Sequence, residues 1–135
     1  MRYFLAGFSI VLFIIDRFLK DSTFLQEKIC NTGIAFGVPV FQWLLFGVIS
    51  GLLLYIALFI TQLWQKGDIF EVLFLTVIFF GAFSNLLDRF LYGCVIDYIH
   101  FIPYFPWFNI ADTMIFFGVV FTGVTYIQKK SILGI

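Results

Sequence analysis

Four long apolar runs decide what this chain can become. They lie at about Tyr3 to Leu19, Trp43 to Leu63, Ile69 to Leu87 and Ile110 to Ile127. A helix needs about 20 mostly apolar residues to cross a bilayer's hydrocarbon. In that medium each backbone N–H and C=O must find its partner inside the protein, so each run is predicted to be a transmembrane helix. Composition agrees: 62% of residues are hydrophobic and 12% charged, with a mean hydropathy of +1.06. A soluble domain carries about 25% charged residues. A chain of 135 residues fits a single membrane-embedded domain, 1–135. The formal net charge of zero gives no footing for nucleic acid. The first run resembles a signal peptide's apolar region, but Asp16-Arg17-Phe18-Leu19-Lys20 follows it in place of a cleavage site. It is therefore read as a retained helix.

The connectors set the topology. Lys66-Gly67-Asp68 marks a tight turn between the second and third runs. Asn31 to Pro39 is apolar and punctuated by Gly33 and Gly37, and is read as a re-entrant loop. Ile99 to Trp107, with Pro103 and Pro106, is an aromatic loop that folds the chain back on itself. Four spans put both termini on one side, with Arg2, Lys66, Lys129 and Lys130. Arg17, Lys20, Lys28 and Arg89 fall on the other. Arg17, Lys20 and Arg89 sit among acids and read as paired. Setting them aside puts the termini in the cytoplasm by the positive-inside rule. Cys30 and Cys94 lack metal-ligand or CxxC spacing. They are read as two unpaired apolar cysteines, with a disulfide between them as the alternative.

Two acids then stand out. Asp97 lies in Val95-Ile96-Asp97-Tyr98, and Asp112 in Phe108-Asn109-Ile110-Ala111-Asp112, both within apolar sequence. An ionisable group there is costly without a partner and marks a functional site. Two carboxylates in one poorly hydrated site share a proton, which is the chemistry of an aspartic protease. The aromatic loop is short enough to bring them together. A plainer reading stands beside this one: Asn109 is a good N-cap and Asp112 suits the first turn of a helix.

Other polar residues cluster around them. Asn85 and Arg89 are four apart and share a helix face, with Asp88 beside Arg89 as an interfacial pair. Gly81 and Ala82 allow close helix approach. Asp16 and Lys20 are four apart on the first helix, either anchoring it at the interface or meeting substrate and lipid phosphate. His100 is the only histidine and no H-E-x-x-H is present, so zinc protease chemistry is not expected. Ser84 has no histidine base near it in sequence. His100 is read as an interfacial aromatic.

Five blocks together carry a family resemblance. They are Asp16-Arg17-Phe18-Leu19-Lys20, Asn31-Thr32-Gly33-Ile34-Ala35-Phe36, Gly81 to Arg89, Val95 to Tyr98 and Phe108 to Asp112. Their order resembles that of bacterial lipoprotein signal peptidase, or signal peptidase II, over nearly the whole chain. The resemblance implies an all-α, four-helix inner-membrane aspartic endopeptidase with a re-entrant loop and an outer-side cradle. Its substrate would be a diacylglyceryl-modified prolipoprotein, cleaved just before the lipidated cysteine, and globomycin its inhibitor. Asp97 and Asp112 match the catalytic pair. Asn85, Arg89 and Asn109 match residues that frame it, within blocks that include Gly81 and Ala111. Asp16, Lys20, Asn31 and Gly33 match the substrate- and lipid-facing outer site. The resemblance implies no metal or organic cofactor, contact with membrane phospholipid, a monomer, and an active site near the outer surface.

Three features depart from the pattern. Ser84 stands where glycine is usual, His100 follows the catalytic block, and the segment from Asp21 to Cys30 is short, which predicts a reduced cradle. The alternative function is a small four-helix proton-coupled exporter, with the buried acids coupling proton flow.

Overall fold

The computed structural model describes residues 2–22, 25, 27–33 and 41–133. Four helices form in chain order, α1 (Arg2–Asp21), α2 (Gln42–Lys66), α3 (Ile69–Tyr92) and α4 (Ile110–Leu133). Two three-residue strands, β1 (Ile29–Asn31) and β2 (Val95–Asp97), pair antiparallel between them. The apolar runs thus become helices, each extended by a few residues beyond the predicted bounds. The predicted re-entrant loop falls mostly on Ile34 to Pro39, outside the described residues.

Trp43–Lys66, Ile69–Tyr92 and Ile110–Ser131 are long and apolar enough to cross a membrane. At about 1.5 Å per residue, a 25-residue helix such as α2 runs about 37 Å, more than a bilayer's hydrocarbon core. α1 differs. It is apolar as far as Ile15, and its last turns carry Asp16, Arg17, Lys20 and Asp21.

α3 is the central helix, packed against α4, α2 and α1, and α1 also reaches α4. The α3–α4 seam is tight because it is built on small residues. A Cβ placed on Gly81 would sit 2.6 Å from the Ala111 carbonyl oxygen. One placed on Gly118 would sit 3.1 Å from the Phe74 carbonyl oxygen. The predicted close approach at Gly81 is therefore real, and Gly118 is its counterpart on α4. Phe74 and Phe121 stack at 5.3 Å along the same seam. Phe13 of α1 packs on Phe80 and Phe83 of α3 at 5.6 and 5.9 Å.

The helix ends are set locally. Gly67 and Gly93 take left-handed backbone (φ 82° and 72°), a conformation that costs glycine little, and they end α2 and α3. At one end of the bundle, Lys129 bonds Asp68 and Glu71 at 3.1 Å, joining α4 to the α2–α3 turn. At the other end, the chain leaving β2 pinches shut where Ile99 pairs with Phe108. His100 stacks on Trp107 at 4.7 Å in this loop, so it does pack as an aromatic. The turn-back delivers Asn109 and α4 directly beneath β2.

The expectation of two unpaired cysteines is corrected. Cys30 and Cys94 form a disulfide. They are 64 residues apart, and only the return of α3 to the β1 side brings them together. No spacing rule could have announced it.

Beside an apolar cluster of Ile56, Leu63, Val72 and Leu75, polar side chains are buried and large apolar ones face outward. Phe8, Val11, Phe18, Leu54, Phe70 and Phe116 are all exposed on helix surfaces. Among the largest fully buried side chains are Asp16, Asp88, Asp97 and Asn109. That inversion suits a protein whose outer solvent is lipid.

Candidate active site

Asn109 organises the site. It precedes α4 and caps it: its side-chain oxygen accepts from the Asp112 amide at 2.8 Å. The Asn109 amide donates back to Asp112 Oδ2 at 3.1 Å. This reciprocal pair is a capping box, built here from Asn and Asp. The capping reading of the sequence is therefore correct, and it also positions chemistry. With its oxygen spent on the cap, Asn109 points its amide nitrogen at Asp97 Oδ1, 2.7 Å away. One buried side chain thus connects both acids.

Each carboxylate has a second donor. Asn85 Nδ2 donates to Asp112 Oδ1 at 2.7 Å. Asn31 Nδ2, from β1, donates to Asp97 Oδ2 at 3.1 Å. Asn31 also accepts from the Gly33 amide at 3.1 Å, forming a local turn that fixes its side chain. Asp97 is 1% exposed, whereas Asp112 is only half-buried and gives the site its opening. Burial pushes the Asp97 carboxyl up to about 6. The Asn31 and Asn109 bonds and Lys20 hold it down, while Asp112 pushes it further up.

Beneath this pair lies a buried ionic layer. Asp16 accepts from Lys20 at 3.0 Å, Ser84 at 2.6 Å, the Tyr98 hydroxyl at 2.8 Å and the Ala111 amide at 3.2 Å. The last contact places a carboxylate at the N-terminus of α4, where the helix dipole favours it. Lys20 also meets Asp88 at 2.7 Å and Asn85 Oδ1 at 2.9 Å. Arg17 closes on the other oxygen of Asp88, whose first oxygen also takes the Ile96 amide. Both carboxylate oxygens of Asp16 and of Asp88 thus have partners, as a buried ion network requires.

One sequence expectation changes here, the Asp88–Arg89 pair. The Asp16 and Lys20 side chains are inaccessible. The last turns of α1 press onto α3 at Ser84 and Asp88, which encloses them. Asp88 does not pair with Arg89. Ser84, Asn85 and Asp88 turn toward α1 and α4, and Arg89, one residue further, points about 100° away. Its guanidinium donates to the Gly33 carbonyl at 3.2 Å and the Asn85 carbonyl at 3.3 Å. It has no carboxylate within ion-pair distance among the described residues, and its buried Nε has no partner. Asp112 and Asp97 are its nearest favourable charges.

Of the residues singled out in the sequence, Asp97, Asp112, Asn85, Asn109, Asn31 and Gly33 assemble in one place. Gly81 and Ala111 contribute packing: the first lets α4 approach, and the second is fully buried at the contact. Tyr98 was not singled out, though the Asp97-Tyr98 pair was visible. Its hydroxyl donates to Asp16 and accepts from the Ile110 amide at 3.2 Å, and burial beside Asp16 raises the phenol above its usual range. Arg17 was read as paired among acids, and it is, with Asp88; Asp88 was read as the partner of Arg89.

Asp16, Asp88, Asp97 and Asp112 face Arg17, Lys20 and Arg89, and Arg17 also pairs with the exposed Asp21 at 3.6 Å, so acids outnumber bases. Two neighbouring carboxyls that share a proton can act as base and acid. Among the described residues, no group of three His, Cys, Asp or Glu is placed to hold a metal ion.

The fold is that of a solved bacterial membrane enzyme, with a TM-score of 0.76 and 22% identity, covering 96% of this chain and 89% of that one. In sequence, the chain is similar to proteins named lipoprotein signal peptidase. That of Syntrophomonas wolfei is 44% identical over 89 residues, 65% of this chain and 58% of the relative. That of Syntrophus aciditrophicus is 36% identical over 118 residues, 82% and 73%. That of Wolinella succinogenes is 31% identical over 142 residues, 92% and 94%. The match to the Syntrophomonas protein thus spans somewhat more than half of that relative's length. The family described as Signal peptidase (SPase) II matches residues 8–128, and the chain belongs to that family.

Proposed function

We propose that the protein is an aspartic endopeptidase that removes the signal peptide from diacylglyceryl-modified prolipoproteins, cutting before the lipidated cysteine. The observation that carries this reading is the pair Asp97 and Asp112, joined through Asn109 beside a buried ionic layer. Family membership supplies the substrate class. The exporter alternative finds no support in the relatives named above, which are lipoprotein signal peptidases.

In this mechanism a water sits between the two carboxyl groups. The ionised carboxylate takes a proton from the water as its oxygen attacks the scissile carbonyl carbon. The protonated carboxyl donates to the carbonyl oxygen, giving a neutral gem-diol. Collapse breaks the C–N bond and delivers a proton to the departing cysteine nitrogen. The proton belongs to the pair, and its two ionisations are macroscopic properties of both residues. Asn85 and Asn109 fix the carboxylates. Arg89, held by two carbonyls and not spent on an ion pair, lends positive charge beside the developing oxyanion.

The membrane reading follows. α1 serves as a fourth span, with its charged end buried against α3. Both termini lie in the cytoplasm, and the site lies near the outer surface of the inner membrane. The Cys30–Cys94 disulfide beside Asn31 supports that side, because disulfides persist in oxidising compartments. The protein acts as a monomer within phospholipid. The substrate's signal helix docks between helices, and its acyl chains remain in lipid, presenting the bond at a fixed depth.

The test compares cleavage of one prolipoprotein with and without its diacylglyceryl group. The lipidated form should be cut far faster. Equal rates would remove lipid recognition from the account, and no cleavage of either would remove the assigned activity.

A further inference from the structure

The Cys30–Cys94 disulfide lies next to the site, and its position has a consequence for catalysis. Cys30 is the middle residue of β1, and its neighbour Asn31 is the β1 residue that bonds Asp97. Cys94 immediately follows Gly93, the residue that ends α3, and precedes β2. The bond therefore ties β1 both to the central helix and to the strand that carries Asp97. Without it, β1 is held by a ladder of three residue pairs, Ile29 with Asp97, Cys30 with Ile96 and Asn31 with Val95, by the Asn31–Asp97 bond, and by Lys28 just before it, which donates to the Lys20 carbonyl at 2.8 Å and to the Ser22 carbonyl. Arg89 adds one bond to the Gly33 carbonyl. A two-stranded pairing of that length is marginal in water.

Access is asymmetric. Cys94 is 2% exposed, whereas Cys30 is exposed and lines a hollow of about 420 Å³ with Lys28, Tyr92 and Ile96. An incoming thiolate can therefore reach the Cys30 sulfur.

Resting on the peptidase reading above, we propose that the Cys30–Cys94 disulfide is a redox-sensitive staple that positions Asn31 on Asp97 and so sets the rate of peptide cleavage. Its reactant is a dithiol. One thiolate attacks Sγ of Cys30, the S–S bond breaks, and Cys94 leaves as a thiolate that takes a proton. The second thiol of the reagent then displaces Cys30, which leaves as a thiol. In sum the protein gains two electrons and two protons, and the dithiol departs as its cyclic disulfide. Oxidation by a disulfide-bearing oxidoreductase reverses the exchange.

Asn31 is a positioning residue: it stabilises the Asp97 carboxylate by a hydrogen bond to charge, and these are the stronger kind. The other charged groups around Asp97 are Asp112 on α4, Lys20 on α1 and Arg89 on α3. None of them is carried by β1, although Arg89 also bonds the Gly33 carbonyl just beyond it, so opening the staple acts on Asp97 first through Asn31.

The full-length protein in lipid bicelles is compared oxidised, reduced with dithiothreitol, and as Cys30→Ser/Cys94→Ser. Hydrogen–deuterium exchange at residues 29–31 should rise in the second and third; unchanged exchange overturns the staple. That readout needs no substrate, so it stands apart from failure of the assigned activity, which absence of cleavage by the oxidised protein would reveal. With cleavage in hand, reduction should lower kcat by about tenfold, the effect of one hydrogen bond to a charged group, at unchanged KM. The acid limb of the rate profile should move to higher pH. Asn31→Ala should be equally slow in both redox states. A redox effect of full size surviving in Asn31→Ala, or identical rates for oxidised and reduced wild type, overturns the proposal.

Discussion

Lys20→Met removes the cation at the centre of the buried layer. Lys20 touches Asp16 at 3.0 Å and Asp88 at 2.7 Å, and all of these side chains are inaccessible. At an effective dielectric near 20, each contact is worth about 6 kcal/mol of Coulomb energy. Desolvation takes back much of this, and breaking a buried pair typically costs about 3–5 kcal/mol. Asp88 keeps Arg17, so the loss falls mainly on Asp16, left beside Ser84, Tyr98 and Ala111 with no cation. Asn85 Oδ1 also loses its strongest donor, freeing the amide that orients Asp112. The variant should therefore lose about 3–5 kcal/mol in denaturant unfolding from mixed micelles, and cleavage should fall with it. Asp16→Asn/Lys20→Met removes the stranded charge and should regain about 2 kcal/mol of the loss. A loss below about 1 kcal/mol, or no recovery in the double variant, would refute the view that Lys20 serves as a buried counter-ion.

Other perturbations probe other parts. Gly81→Ala drives a Cβ to 2.6 Å from the Ala111 carbonyl oxygen, so α4 must shift. Overpacking of this kind costs about 1–3 kcal/mol, and thermal unfolding should show it, with reduced cleavage because Asp112 rides on α4. Asp97 has its folded-state ionisation raised from 3.8 to about 6, so the folded protein binds this proton more tightly than the unfolded chain. Its contribution to stability is full below about pH 4 and is lost as pH rises toward 6, a fall of about 3 kcal/mol. Unfolding measured against pH should show this decline in the wild type and a flatter profile in Asp97→Asn.

The helices and the acidic pair could be read from sequence for a simple reason. Hydrophobic run length reports directly on the bilayer, and helical spacing reports which residues share a face. Asn85, Asn109 and Asp112 were found because residues three and four apart meet on one side of a helix. Spacing does not reveal which neighbouring helix covers that side. Asp16 and Lys20 therefore read as an exposed pair, although α3 buries them. Asp88 was matched to Arg89, its neighbour in sequence, while its true partners are 71 and 68 positions away, Arg17 and Lys20. The disulfide stood only as the alternative on the same ground, since it depends on the return path of α3 and the pairing of β1 with β2. Tyr98 read as one more aromatic in an aromatic-rich chain, because only a tertiary contact gives its hydroxyl a role.

The central claim is that Asp97 and Asp112 perform the cleavage together. The most direct measurement is gel-shift cleavage of a purified diacylglyceryl-prolipoprotein by the wild type, Asp97→Asn and Asp112→Asn, with unfolding curves for all three. The account predicts cleavage by the wild type and a loss of at least about 10³-fold in each folded variant, since neither carboxyl alone can supply both base and acid. Cleavage persisting near the wild-type rate in either variant would contradict it.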